Sequence, residues 1–82
     1  MDWKDEPTLG KAFKAWRSYH RYRLIDAEKV TKVPMSSIRR IERDDGAPQL
    51  KNLALVARAL DMSTDEIIAR WFTDDDDKQK DQ

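Results

Sequence analysis

Val33-Pro34-Met35-Ser36-Ser37-Ile38-Arg39-Arg40-Ile41-Glu42-Arg43 is the stretch on which the fold of this chain turns. Wound at the helical period, it brings Val33, Ile38 and Ile41 near one side and leaves Met35, Ser36, Arg39, Arg40 and Arg43 to face outward. Pro34 suits the first turn of a helix and disfavours helix at the residue before it. The stretch therefore reads as a short helix with an apolar face for packing and a cationic face for a partner. Ser36 and Ser37 sit near its start, where a hydroxyl either caps backbone donors or binds phosphate oxygens.

Working outward from this helix, residues 25–32 form a short second helix with Ala27, Val30 and Thr31 on one face, and the break at 32–34 makes the pair a helix, tight turn, helix. Further upstream, Thr8 is an N-cap for a first helix that runs to Tyr19 or His20, with Leu9, Ala12, Phe13 and Trp16 as its buried stripe. Lys11, Lys14, Arg17 and Arg21 surround that stripe, and at least one of them is expected to turn back toward the interior. Residues 1–7 have no period and read as an N-terminal arm, with Trp3 either folded onto the domain or exposed. Downstream, residues 44–48 are a loop in which Gly46 supplies backbone freedom and Pro48 prepares a new helix. Leu50, Leu53, Ala54, Ala57 and Leu60, broadened by Val56, then mark a fourth helix that Asp61 and Met62 end. Ser63-Thr64-Asp65-Glu66 is a capping box opening a fifth helix that carries Ile67, Ile68, Trp71 and Phe72. Residues 8–72 form the domain, and 73–82, without an apolar residue, read as an acidic disordered tail. Residues 74–78 also match an enterokinase cleavage sequence; the stretch is read here as native.

Composition narrows the function. The 82 residues sum to a net charge of zero, yet residues 8–43 hold 10 Lys/Arg against 3 Asp/Glu, or +7. Such clustering favours a polyanion-binding half. With no cysteine and one histidine, neither disulfides nor a metal cluster is available, and the residues offer no support for a metal or cofactor. His20 has no obvious nucleophile or carboxylate beside it and reads as a surface or boundary residue, so no enzyme is expected. No apolar run reaches the roughly 20 residues needed to cross a bilayer. The acidic start lacks a signal peptide's order, so a soluble cytoplasmic protein is expected, with no membrane partner.

The order and spacing of these pieces resemble a known family. Leu9-Gly10 opens the first helix, Ser37-Ile38-Arg39-Arg40-Ile41-Glu42-Arg43 lies in the third, and Pro48-Gln49-Leu50 through Leu53 leads into the fourth. Val56-Ala57-Arg58-Ala59-Leu60, then Ser63, Asp65-Glu66 and Ile67, complete the pattern. Together they resemble the phage repressor and Cro-like helix-turn-helix regulators, also called the xenobiotic-response-element family. The resemblance implies an all-α, five-helix, lambda-repressor-like domain that contains a helix-turn-helix and binds double-stranded DNA as a sequence-specific transcriptional regulator, with the third helix in the major groove. Carried over by position, it also implies an ion pair between Arg17 and Glu42, base contacts from Met35, Ser36 and Arg40, and backbone contacts from Arg23, Lys32, Ser37, Arg39 and Arg43. Arg40 ranks first, since a guanidinium donates two parallel bonds to guanine, while Met35 suits a thymine methyl. A homodimer reading a two-fold symmetric site is expected. Trp71 and Phe72 form its surface or, alternatively, tuck into the core.

The second helix and the acidic loop depart from the family. Counted back from Ile38 without a gap, Glu28 takes the place of a small residue and Lys32 that of the turn glycine. With one extra turn residue, Ala27-Glu28-Lys29 falls into the family's order and Asp26 takes an apolar place. Asp44 and Asp45 replace the usual glycine-and-basic loop. These departures support a second reading: a protein-interaction module of the same fold, antitoxin- or antirepressor-like, that binds another protein through Arg39 and Arg40.

Overall fold

Thr8 opens the first helix as its sequence suggests: its backbone is extended, and its hydroxyl accepts a hydrogen bond from the Lys11 amide at 3.1 Å. The computed structural model describes residues 3–72. It holds five α-helices, α1 (Leu9–Tyr19), α2 (Leu24–Thr31), α3 (Met35–Glu42), α4 (Leu50–Ala59) and α5 (Thr64–Ile67), with no strand among the described residues. A single 3-10 turn, Trp3–Asp5, precedes α1, and a π-helical turn, Ile68–Phe72, prolongs α5. None of these helices is long and apolar enough to cross a membrane. The tail expected at 73–82, and residues 1–2 of the arm, lie outside the described residues.

One core joins the helices. Leu9, Ala12, Phe13 and Trp16 of α1 meet Ala27 of α2, Val33, Ile38 and Ile41 at α3, Leu53, Val56, Ala57 and Leu60 at α4, and Ile67 of α5, all buried. α1 and α2 both pack on α3, and α4 packs on α2 and α5. Gly10 makes the α1–α3 approach possible, because a Cβ there would stand against the Ile41 carbonyl oxygen and 2.6 Å from Asp44 Oδ1.

Several expectations need correcting. Val30 is 53% exposed; the buried face of α2 runs through Ala27 and Thr31, and Val30 lies about 60–100° away from them around the helix. Leu50, 71% exposed, and Ala54, also exposed, are not part of the buried stripe of α4. That stripe follows Leu53, Val56, Ala57 and Leu60, and the other two fall on its flanks. The second helix starts at Leu24 and stops at Thr31, one residue earlier at each end than expected. Of the two placements left open for Trp3, the structure has it folded onto the domain, within the 3-10 turn. Trp3 is half-buried, donates from Nε1 to the Leu60 carbonyl at 3.3 Å and packs edge-on against Tyr19.

The helix ends have a common device. Arg21, Lys32, Asp44 and Asp61 follow α1, α2, α3 and α4 respectively in the left-handed region, at φ of 59°, 70°, 56° and 59°. After α3 the closure is a double one: the Asp44 amide bonds the Ile41 carbonyl and the Asp45 amide the Arg40 carbonyl, both at 3.0 Å. The chain thus ends four helices without a glycine at the left-handed position.

Candidate nucleic-acid interface

The helix-turn-helix is α2, the turn at 32–34 and α3. Lys32 alone takes the left-handed turn, so the ungapped register is the one adopted and no extra residue enters the turn. The alternative register would have made Thr31 part of the turn. Instead Thr31 is the buried last residue of α2, donating from its hydroxyl to the Ala27 carbonyl at 2.7 Å and accepting from the Val33 amide at 3.1 Å. That pair of bonds ties the end of α2 to the turn and compensates for a polar side chain in the core. Asp26 does not occupy a core position either; it closes the start of α2. Its carboxylate accepts from the Arg23 amide at 2.9 Å and from the Arg23 guanidinium at 3.1 and 3.3 Å. The guanidinium bond first, then the amide bond, hold Asp26 below the ordinary carboxylate range.

α3 has two faces. Ile38 and Ile41 are buried with Val33, while Ser36, Arg39, Arg40 and Arg43 are exposed; Ser36, Arg40 and Arg43 form one stripe at four- and three-residue steps. Met35 and Ser37 are half-buried at the margins. Ser37 has a partner that the sequence did not suggest, Asn52 of α4, whose amide donates to its hydroxyl at 3.2 Å. Asn52 is itself buried, so the bond fixes a polar link between α3 and α4. Ser37, Arg40, Asp45, Gln49 and Asn52 border one hollow beside the exposed face of α3.

Arg17 and Glu42 meet in a two-pronged pair. Nε and Nη2 of Arg17 reach the two carboxylate oxygens at 2.7 and 2.8 Å, and Nη1 donates to the Tyr22 carbonyl at 3.1 Å. With side chains only 18% and 11% exposed, the pair clamps α1 to the end of α3. The bond to Glu42 holds the Arg17 guanidinium above its ordinary pKa.

The acidic loop is more structured than its composition implies. The Asp44 carboxylate turns away from the exposed stripe and covers the start of α1, accepting from the Gly10 amide at 2.9 Å and the Thr8 hydroxyl at 2.8 Å. Asp45 turns toward the stripe: one oxygen lies 3.9 Å from Arg40 Nε and 3.6 Å from Arg43 Nη2. In the sequence the two aspartates look alike. The legible signal was that aspartate tolerates the left-handed residue after a helix, which sends neighbouring side chains in different directions.

At the far end, Trp71 is half-buried and donates from Nε1 to the Glu6 carbonyl at 2.9 Å, while Phe72 and Ile68 are 38% and 41% exposed. Trp71 and Phe72 border an apolar depression shared with Pro7, Leu9 and Pro48.

This arrangement has known counterparts. A model of a family described as helix-turn-helix matches residues 21–67, which takes in α2, the turn, α3, α4 and α5. The cryptic phage CTXphi transcriptional repressor RstR of Vibrio cholerae serotype O1 is 37% identical over 43 residues, 52% of this chain. The matched segment spans only 38% of that relative's length. No solved structure matches the chain.

Proposed function

Because the chain belongs to the helix-turn-helix family, we propose that it is a sequence-specific transcriptional regulator of the repressor type, which lays α3 in the major groove of double-stranded DNA and works as a homodimer. The observation that carries this reading is the division of α3: Ile38 and Ile41 are buried while Ser36, Arg39, Arg40 and Arg43 are exposed together. A helix fits the major groove, and guanidinium groups on its outer face supply both base and phosphate contacts. In this reading Arg40 reads a guanine, with Met35 and Ser36 beside it. Lys32, Ser37, Arg39 and Arg43 hold the backbone, Ser37 being steadied by Asn52. Arg23 is the weakest of the backbone contacts, since Asp26 already takes its guanidinium. Similarity to a phage repressor supports the regulatory role. The family is typically non-enzymatic, and with a single histidine, no cysteine and no metal-ligand cluster among the described residues, no reaction is assigned to this chain.

A second reading has one specific observation in its favour: Arg23, Arg40 and Arg43 are each within ion-pair distance of an aspartate of the same chain. That charge balance suits a module that binds a protein and little DNA. Retention on random-sequence DNA separates the two. A DNA binder is retained at low salt and released steeply as salt rises, with a logarithmic slope of about −0.9 for each phosphate neutralised. No retention at low salt would favour the protein-binding module. Selection of bound sequences from a random pool at a stated salt concentration then yields the site.

A further inference from the structure

Arg40 and Arg43, the two arginines of the reading stripe that reach furthest toward the end of α3, share one carboxylate oxygen, and the residue that supplies it is held in place. The Asp45 amide donates to the Arg40 carbonyl at 3.0 Å. The preceding residue, Asp44, is anchored at both ends, its amide on Ile41 and its carboxylate on Thr8 and Gly10 of α1. Asp45 therefore leaves the end of α3 along a defined direction, and its Oδ2 lies 3.9 Å from Arg40 Nε and 3.6 Å from Arg43 Nη2. Among the described residues, no other carboxylate is within ion-pair distance of either arginine.

We propose that Asp45 is a positioning residue for base reading: its carboxylate restrains the Arg40 guanidinium from the Nε side and leaves the two terminal nitrogens to face a guanine. The proposal rests on the DNA-binding reading of α3. A guanidinium offers five N–H donors in a fixed fork, so a carboxylate on the Nε side, at 3.9 Å an ion-pair neighbour and not a hydrogen-bond acceptor, leaves the terminal pair of donors spaced for guanine O6 and N7. A long, exposed arginine without such a partner spreads over several rotamers and must be ordered on binding. The carboxylate also repels phosphates, so it opposes binding to any DNA sequence alike.

These two effects have opposite signatures. Removing the charge strengthens binding to all DNA, whereas removing the restraint weakens discrimination between sequences. The test uses the full chain, a duplex selected by the wild-type protein, the same duplex with the guanine contacted through Arg40 replaced, and random-sequence duplex, all at one salt concentration. Asp45→Asn is expected to bind random DNA more tightly and to lose roughly 5- to 10-fold of the discrimination at that guanine, within the span one bidentate contact supplies. In an Arg40→Ala background the same change should leave discrimination at that base pair unaltered, because the group being positioned is gone. If Asp45→Asn tightens binding to all three duplexes by the same factor, Asp45 is only a negative charge and the proposal is overturned. Equal loss of discrimination with and without Arg40 overturns it too. A wild-type protein that binds none of the duplexes at low salt would instead refute the DNA-binding reading, a result distinguishable from either of these.

Discussion

Glu42 is the residue whose removal most directly tests how α3 is held. Its two oxygens accept from Nε and Nη2 of Arg17, whose third nitrogen, Nη1, donates to the Tyr22 carbonyl. Glu42→Ala leaves a partly buried guanidinium without its counter-ion and should cost about 2–4 kcal/mol of stability, read as a lower denaturant midpoint. A midpoint equal to that of the wild type would mean that the pair is ornamental. Asp44 poses a subtler contrast, because it bears a left-handed backbone at φ 56° and covers the start of α1. Asp44→Ala keeps the strained backbone and loses the cap, for a loss of about 1–2 kcal/mol. Asp44→Gly also loses the cap but relieves the strain, so it should melt above Asp44→Ala; the reverse order would show that the carboxylate is not what stabilises the turn. Arg17 and Glu42 were legible in the sequence through the family's spacing. The Asp44 cap was not, because it joins residues 34 positions apart and depends on a side-chain direction that only the folded turn defines.

Among the elements, α2 and its turn were the least legible and the four helix ends the most instructive. Periodicity located α1, α3 and the Ser63–Glu66 cap because their apolar stripes or caps are unambiguous. It misplaced Val30, Leu50 and Ala54 because an apolar residue on the flank of a short helix looks the same in sequence as one at the centre of its stripe. Lys32 shows what replaces the expected glycine: a lysine at φ 70°. Lys32→Gly should therefore raise stability by about 0.5–1 kcal/mol, as seen in thermal melting, while weakening DNA binding by the loss of one cation. The caps at Asp26 and Glu66 add a pH dependence. Backbone and side-chain donors hold both carboxyls below their ordinary range, Arg23 chiefly for Asp26 and the Ser63 amide for Glu66. A group whose pKa is lower in the folded state stabilises the fold above its unfolded pKa, and that contribution is lost as pH falls through the folded one. Stability should thus decline below about pH 4.5, and Asp26→Asn with Glu66→Gln should flatten that part of the curve.

For the whole molecule, the zero net charge is the sum of a basic segment, residues 8–43 at +7, and acidic flanks. The folded domain sorts part of this charge further: Asp44 lies over α1, Asp26 over α2, and, among the described residues, Asp45 alone pairs with the arginines of the α3 stripe. A single small domain presents limited contact area to DNA, and a two-fold pair of them would double it with half-sites about 34 Å apart. In the proposed homodimer the second copy would dock at the depression beside Pro7 and Pro48 together with the exposed side chains of Phe72 and Ile68, Trp71 being hydrogen-bonded to Glu6. Ile68 and Phe72 are four residues apart on one turn, and placing a charge at both should disrupt an apolar interface without touching the core residue Ile67. Ile68→Asp with Phe72→Asp is expected to keep the helical spectrum of the wild type, to sediment as a monomer, and to bind a duplex carrying two half-sites no better than a duplex carrying one. Wild-type protein that already sediments as a monomer at the concentrations where it binds both half-sites would remove the dimer from the proposed function, while leaving α3 as the reading helix of a single domain.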